Sequence, residues 1–134
     1  MNAFFDANII VRHLTGDPPD LAHRATRFLA AAGARELRLA DLVLAEVVYV
    51  LESFYKVPRD QVAESVRAIV AFPAIRTNDP ALLLRAIEVY EKDRLDFADA
   101  YLVAEAEQTG VGVVASFDKA IDRVDSIRRL VPSD

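Results

Sequence analysis

The chain has 134 residues, of which 53% are hydrophobic and 28% are charged, and its formal net charge is −5. This length suits a single domain over residues 1–134 that buries a core without covalent staples. The absence of cysteine excludes disulfide scaffolds, thiolate zinc sites and cysteine nucleophiles, and the acidic balance argues against binding nucleic acid through a broad basic surface. The sequence shows no signal peptide and no membrane-spanning stretch, so we expect a cytoplasmic protein.

Strand and helix signals alternate from the start of the chain. Residues 2–5 form a short apolar run that ends in a polar turn, which is typical of a buried strand. A short helix through Leu14 follows and ends near Gly16. The segment from Asp17 to Pro19 predicts the start of the next helix, with Asp17 as its cap and proline in its first turn.

The middle of the chain continues this alternation. Residues 37–39 predict a second strand, and Asp41 is predicted to cap the helix that follows. β-Branched residues leave a strand as the alternative for that helix, but the length of the run favours a helix. Pro58 and Asp60 open another helix, and residues 73–75 allow a minimal strand.

The last third of the chain predicts two more helices and two more strands. Asp79 and the proline after it predict a capped helix start, and a helix after Asp96 ends before Gly110. Residues 112–115 and 127–131 read as strands with a short helix between them. The alternation predicts a three-layer α/β/α sandwich with a parallel sheet of four or five strands, whose ligands bind beyond the carboxyl ends of the strands.

Four acidic residues stand in positions that need a physical explanation. Asp6 and Asp118 each follow a predicted strand, so a parallel sheet places both at the same edge. Glu46 interrupts an apolar helix, and Asp99 lies near the start of another. A lone buried carboxylate is costly, so each needs a cation, hydrogen-bond donors or solvent. A turn, a helix cap or a solvent-facing position explains each one singly; together they allow a carboxylate-rich metal site.

Four motifs carry a family resemblance that spans essentially the whole chain. In chain order they are FDANII at 5–10, LVLAEV at 42–47, DFADAYLVA at 96–104 and ASFD at 115–118. Their order and content resemble the PIN-domain family, and within it the VapC-type toxins of bacterial and archaeal toxin–antitoxin pairs. Carried over position by position, the acidic quartet of the family corresponds to Asp6, Glu46, Asp99 and Asp118.

The resemblance implies an endoribonuclease that depends on Mg²⁺ or Mn²⁺ and hydrolyses phosphodiester bonds of RNA. It makes Asp6, Asp99 and Asp118 the expected metal ligands, with Glu46 either a further ligand or the group that orients the attacking water. The chemistry agrees, because hard cations prefer carboxylate oxygens and activate bound water against phosphate. The resemblance also implies a small antitoxin protein as partner and a homodimer.

Other polar residues accompany this quartet. Asp96 and Asp122 lie three before Asp99 and four after Asp118, spacings that allow a shared helical face and added negative charge, with a cap and a solvated face as the alternatives. Asn8 and Ser116 match small polar residues of the family motif and can orient a ligand or a water, or stabilise their own turns. The arginines proposed for RNA-backbone contact are Arg12, Arg123, Arg128 and Arg129.

The predicted third helix carries more apolar residues than one core-facing side requires. They are Leu42, Val43, Val50, Leu51, Phe54 and Tyr55. An uncovered apolar patch usually marks an interaction site, so we expect a groove near this helix and the next, residues 62–70, that receives an amphipathic antitoxin segment. Complete burial of the helix in the core is the alternative.

Three other functions compete with the nuclease. A phosphoaspartate receiver domain needs an acidic neighbour for Asp6 and a late lysine on its own strand, whereas Lys119 directly follows Asp118. A haloacid-dehalogenase-type phosphatase needs a second aspartate where Asn8 stands. The non-enzymatic alternative is a catalytically inactive PIN-like binding module, against which the intact quartet argues.

Overall fold

The computed structural model describes residues 2–34 and 36–133. The chain divides into two compact units, residues 1–78 (unit 1) and residues 79–134 (unit 2). In the part that is described, six α-helices accompany strands that pair in parallel throughout. The predicted α/β class is therefore confirmed, and it is consistent with a PIN-like α/β/α fold. A single domain over the whole chain stays a prediction.

Unit 1 contains a three-stranded parallel sheet in the order β1-β2-β3 and four helices. Its elements are β1 (Ala3–Phe4), α1 (Ala7–Thr15), α2 (Pro19–Ala31), β2 (Leu37–Leu39), α3 (Asp41–Ser53), α4 (Arg59–Ala71) and β3 (Ile75–Thr77). The register pairs Ala3 with Leu37 and Leu37 with Ile75. The strand predicted at residues 73–75 begins two residues later, because the Ile75 N–H closes a turn onto the Phe72 carbonyl at 3.0 Å before pairing starts.

The third helix is a helix and not a strand. Leu44, Val47, Val48 and Leu51 of α3 are all buried, and this three-to-four spacing lies on one side of a helix. The alternating burial that a half-buried strand would show is missing from this described segment. The length of the apolar run was therefore the correct criterion, because a helix of this length can keep one side in the core.

Two predicted helix caps are wrong. The N-cap of α2 is Pro18 and not Asp17, whose carboxylate instead accepts a hydrogen bond of 2.9 Å from the Tyr55 hydroxyl. The N-cap of α3 is Ala40, so Asp41 is already the first helical residue, where its charge favours the positive end of the helix. Asp17 therefore does not cap α2, because its carboxylate is held by Tyr55. Asp41 does not cap α3, because the helix begins at Asp41 itself.

Unit 2 contains two helices followed by a two-stranded parallel sheet. Its elements are α5 (Pro80–Lys92), α6 (Phe97–Gln108), β4 (Val113–Ala115), a short 3₁₀ helix (Lys119–Arg123) and β5 (Arg128–Leu130). The predicted cap at Asp79 is confirmed, because its carboxylate accepts from the Leu82 N–H at 3.1 Å. Asp96 is also a cap, which was the alternative given for it, and its carboxylate accepts from the Asp99 N–H at 2.8 Å. The described residues thus contain five strands, which form sheets of three and two and not the one sheet of four or five strands that the sequence predicts.

Helices α5 and α6 form the core of unit 2. Leu83 and Ile87 of α5 and Val103 of α6 are completely buried. An ionic link reinforces this packing, since the Arg85 guanidinium donates two hydrogen bonds to the Glu107 carboxylate, at 2.7 and 2.8 Å. The link is bidentate, which is the strong geometry for this pair. No helix in the described residues is both long enough and apolar enough to cross a membrane.

Candidate active site

Asp6 lies where β1 has ended and α1 begins. Its carboxylate accepts a hydrogen bond of 3.1 Å from the Asn8 N–H and caps the helix. The side chain remains exposed, and a cap of this kind uses one carboxylate oxygen. Capping therefore fixes the carboxylate at the carboxyl end of β1 and leaves its second oxygen available for a ligand.

Glu46 is placed at the surface by the packing of its own helix. The buried side of α3 carries Leu44 and Val47, whereas Glu46 lies on the exposed side, together with Leu42 and Tyr49. The Leu42 side chain is 83% exposed. The carboxylate therefore interrupts the apolar run without being buried in it, and it is accessible to a ligand.

Asp99 and Asp118 are brought together within unit 2. Their carboxyl groups lie within hydrogen-bonding reach, and the pKa of Asp99 is raised above its usual range. The largest cause is partial burial, and the negative charge of Asp96 and the hydrogen bond and charge of Asp118 add to it. Crowding of like charges is costly unless a proton or a cation is shared between them. This pair is the clearest chemical feature of the candidate site.

The turn after β4 holds Asp118 in position. The Asp118 N–H donates to the Ser116 hydroxyl oxygen at 2.9 Å, and the Asp118 carboxylate accepts from the Ala120 N–H at 2.9 Å. Ser116 therefore stabilises the turn from which Asp118 projects, one of the two roles expected for it. Asn8 has the corresponding place in unit 1, where its N–H holds the Asp6 carboxylate.

Asp96 and Asp122 have different surroundings. Asp96 caps α6 and its charge raises the pKa of Asp99, so it contributes negative potential to the Asp99–Asp118 pair. Asp122 accepts two hydrogen bonds of 3.0 Å from the guanidinium of Arg129, which lowers its pKa and balances its charge. Because residues 119–123 form a 3₁₀ helix, the four-residue spacing from Asp118 does not give the shared face of an α-helix.

The carboxylate oxygens of the predicted quartet are the ligands that a hard divalent cation prefers. Among the described side chains, no group of three or more acids or histidines is already assembled to hold such an ion. Two members of the predicted quartet belong to unit 1 and two to unit 2. The Asp99–Asp118 pair offers carboxylate oxygens whose mutual repulsion a cation would relieve. The residues present therefore fit Mg²⁺ or Mn²⁺, and the membership of the complete quartet stays a prediction.

The arginines singled out from the sequence are used in several ways. Arg129 pairs with Asp122 and donates to the Ser116 carbonyl at 3.1 Å, so it braces the turn before Asp118. Arg123 donates to the Arg94 carbonyl at 3.0 Å and ties down the loop after α5. Arg128 is exposed, and Arg12 lines a groove together with two arginines of α2 that sequence reasoning missed.

One aromatic residue was also missed. Phe117 lies between Ser116 and Asp118, and its side chain is 76% exposed. Its position inside the ASFD motif was a usable signal, because a large apolar side chain between two polar turn residues cannot easily reach the core. It stands directly beside one carboxylate of the candidate site.

Comparison with known families identifies the domain. Residues 3–127 match the model of the PIN domain, so the match covers nearly all of both units. The comparison with curated proteins finds no relative.

Proposed function

The chain belongs to the PIN-domain family and carries its nuclease fold, and from this premise we propose that it is a metal-dependent endoribonuclease. In this proposal Asp6, Glu46, Asp99 and Asp118 form the catalytic quartet. The observation that carries it is the Asp99–Asp118 pair, two carboxyl groups within hydrogen-bonding reach with the pKa of Asp99 raised. A carboxylate pair of this kind is the donor chemistry that Mg²⁺ and Mn²⁺ prefer.

Asp6, Asp99 and Asp118 are the proposed metal ligands. When bound, the ion would neutralise the crowded carboxylates, lower the pKa of an attacking water and offset charge on the phosphoryl oxygens. Ser116 keeps Asp118 in place through the Asp118 N–H, and Asp96 keeps Asp99 at the start of α6. These two residues are therefore proposed to position the ligands Asp118 and Asp99.

Glu46 is proposed to orient the water that attacks phosphorus and to accept its proton. Its side chain is exposed and is carried on a helix that is anchored by Leu44 and Val47. In the hydrolysis, one bond forms between the water oxygen and phosphorus, the bond from phosphorus to the leaving ribose oxygen breaks, and that oxygen takes up a proton. A rigid helix is a suitable support for a base that must keep its distance from the phosphate.

Cleavage of RNA by the purified protein is the decisive test. We expect cleavage of assorted RNAs with Mg²⁺ or Mn²⁺ and none in EDTA. The Asp99→Asn variant should lose more than about 100-fold in rate, beyond the 10–100-fold typical of groups that only support a ligand. Asp125→Asn, which removes an exposed aspartate of the same unit, should cleave normally. Robust cleavage after thorough chelation would contradict the mechanism.

Membership of the quartet has a separate test in the remaining acids. The variants Asp6→Asn, Glu46→Gln and Asp118→Asn should each abolish cleavage while keeping the circular dichroism spectrum of the parent protein. Asp122→Asn should retain activity better, because Arg129 already balances the charge of Asp122. Normal activity in any of the first three variants would remove that residue from the site.

We further propose that the chain is the toxin of a toxin–antitoxin pair that acts in the cytoplasm. Support comes from an apolar groove of about 90 Å³ formed by α1, α2 and α4, whose apolar lining includes Ile10, Leu14, Leu29, Ile69 and Phe72. The groove uses α4 as expected, but its other walls are α1 and α2 and not α3. On α3, Leu51 is buried and Leu42 is exposed, and Phe54, the residue after the helix, is exposed as well. An amphipathic antitoxin segment is the proposed occupant of the groove.

Co-expression tests the toxin role and light scattering tests the assembly. The small protein encoded beside this chain should co-purify with it and suppress both growth arrest and RNA cleavage. Failure on all three counts would leave a nuclease without an antitoxin.

The free protein is proposed to be a homodimer, so its measured mass should be about twice 14.8 kDa. A catalytically inactive binding module remains the alternative if the protein neither cleaves RNA nor binds a cation.

A further inference from the structure

A second groove lies between α1 and α2 in unit 1. It has a volume of about 670 Å³, within the range of about 300–1,000 Å³ typical of ligand sites. The residues that line it are Asn8, Ile9, Arg12, Leu21, Arg24, Ala25, Arg27 and Phe28. It differs in chemistry from the apolar groove beside α4, with which it shares no lining residue.

The groove concentrates positive charge on a protein of net charge −5. Three arginines line it, and no lining residue in this described segment is acidic. Arg24 and Arg27 are exposed, and Arg12 is half-buried against the same groove. Guanidinium groups gathered without carboxylates repel one another, so the groove is suited to a ligand that carries several negative charges.

The groove also has an aromatic wall. Phe28 follows Arg27 on α2, and its ring is 44% exposed, while Ile9 and Leu21 add half-buried apolar surface. Exposed rings beside cationic side chains are the features with which proteins bind single strands, because bases stack on the ring and phosphates pair with arginine. Phosphate alone would not need the ring.

The groove reaches the proposed catalytic site along the chain. Asn8 belongs to its lining, and the N–H of the same residue holds the Asp6 carboxylate at the start of α1. From there the groove follows α1 to Arg12, one helical turn further on. A strand bound in it would therefore lie with one end next to Asp6.

We propose that this arginine groove, lined by Arg12, Arg24, Arg27 and Phe28, binds the single-stranded RNA segment flanking the cleaved bond. The inference rests on the proposed nuclease function and adds the path of its substrate. Arg24 and Arg27 contact phosphates, and Phe28 stacks a base. Arg12 and Asn8 direct the strand towards Asp6. An acidic peptide of a protein partner is the competing occupant, and it has less use for an exposed ring.

Binding measured without catalysis isolates this groove. Fluorescence anisotropy of a labelled single-stranded RNA in EDTA should show at least about tenfold weaker binding for Arg24→Gln/Arg27→Gln than for the parent protein. The logarithmic salt dependence should become shallower by about 1.4, since each lost phosphate contact on a single strand contributes about 0.7. Arg38→Gln/Arg76→Gln removes the same charge from β2 and β3 outside the groove and should bind nearly normally.

Variants of Phe28 test the stacking separately from the charge. Phe28→Ala and Phe28→Leu should both weaken RNA binding about fivefold or more, whereas Phe28→Tyr should retain it. Leucine keeps most of the apolar volume of the Phe28 side chain but has no ring. If Phe28→Leu binds RNA as tightly as the parent protein does, base stacking is removed from the proposal. Thermal unfolding of each variant confirms that the fold is intact, which is expected because Arg24, Arg27 and Phe28 are all exposed.

Failure of the groove and failure of the nuclease give different results. If the groove variants bind RNA as tightly as Arg38→Gln/Arg76→Gln, the groove proposal is overturned even when the protein cleaves RNA. Loss of binding to a polyglutamate peptide with unchanged RNA binding would overturn it in favour of a protein partner. If RNA binding depends on the groove but no metal supports cleavage, the groove stands and the proposed catalytic function fails.

Discussion

At the scale of single residues, the surroundings of Asp99 oppose its ionisation. Partial burial raises its pKa, and the neighbouring charges of Asp96 and Asp118 raise it further. A carboxyl group whose pKa is higher in the folded state than in the unfolded state binds more protons when folded. Stability is therefore lost as the pH rises from the unfolded value of 3.8 through the raised folded value. The site stores an electrostatic cost that a bound cation can remove.

We predict that Asp99→Asn raises the melting temperature by a few degrees at pH 7.5 in EDTA. The amide removes one of the crowded charges and can donate a hydrogen bond to the Asp118 carboxylate. At a pH below 3.8 the difference should disappear, because Asp99 is then protonated in both states. Asp125→Asn is the control. A lower melting temperature for Asp99→Asn at pH 7.5 would show that the carboxylate pair is not strained.

Added metal should make the parent protein, and not Asp99→Asn, the one with the higher melting temperature. Mg²⁺ or Mn²⁺ that binds only the folded state stabilises it in proportion to the logarithm of its concentration above the dissociation constant. We predict a concentration-dependent rise in melting temperature for the parent protein and a much smaller rise for Asp99→Asn, measured at pH 7.5. Equal rises in both proteins would place the bound ion away from Asp99.

At the scale of elements, the contact between α5 and α6 depends on an ion pair as well as on apolar packing. The hydrogen bonds from Arg85 lower the pKa of Glu107, so this pair contributes stability above the unfolded value of 4.5 and loses it as the pH falls through the lower folded value. We predict that Glu107→Gln costs about 1 kcal/mol at pH 7. Chemical denaturation should show that the free energy of unfolding lost in Glu107→Gln is smaller in acid than at pH 7. The control Glu105→Gln should change the free energy of unfolding little at either pH.

The apolar side of the same contact offers a sharp comparison between neighbours. Leu83 is completely buried, whereas the adjacent Leu84 is 42% exposed. We predict that Leu83→Ala lowers the free energy of unfolding by about 2–5 kcal/mol, because it leaves a cavity between the helices. Leu84→Ala should cost less than about 1 kcal/mol. Similar costs for both variants in a urea titration would mean that α5 does not present this face to the core.

At the scale of the whole molecule, we predict that the two compact units unfold together. Residues 79–134 contain two helices and a two-stranded sheet, and the core of a segment of roughly 60 residues makes it only marginally stable by itself. Hydrogen exchange of the full chain should therefore show Leu83→Ala accelerating exchange in residues 1–78 as well as in its own unit. Acceleration confined to residues 79–134 would indicate two independent domains.

Much of the fold follows from short-range signals in the sequence. The strands and helices lie close to their expected positions because apolar periodicity and proline act over a few residues. The αL conformation of Gly16, with φ of 72°, ends α1 where a glycine was expected to end it. The error at Asp17 has the opposite origin, since Tyr55 holds the carboxylate of Asp17 from 38 residues away.

The sequence by itself determined the order of elements, the α/β class and the positions at which carboxylates follow strands or start helices, because these depend on neighbours along the chain. Only the tertiary structure decided which charges meet. It placed Asp99 beside Asp118, paired Asp122 with the Arg129 guanidinium and left Glu46 exposed at the surface. Electrostatic coupling depends on distance in space, and residues far apart in sequence become neighbours only when strands pair and helices pack.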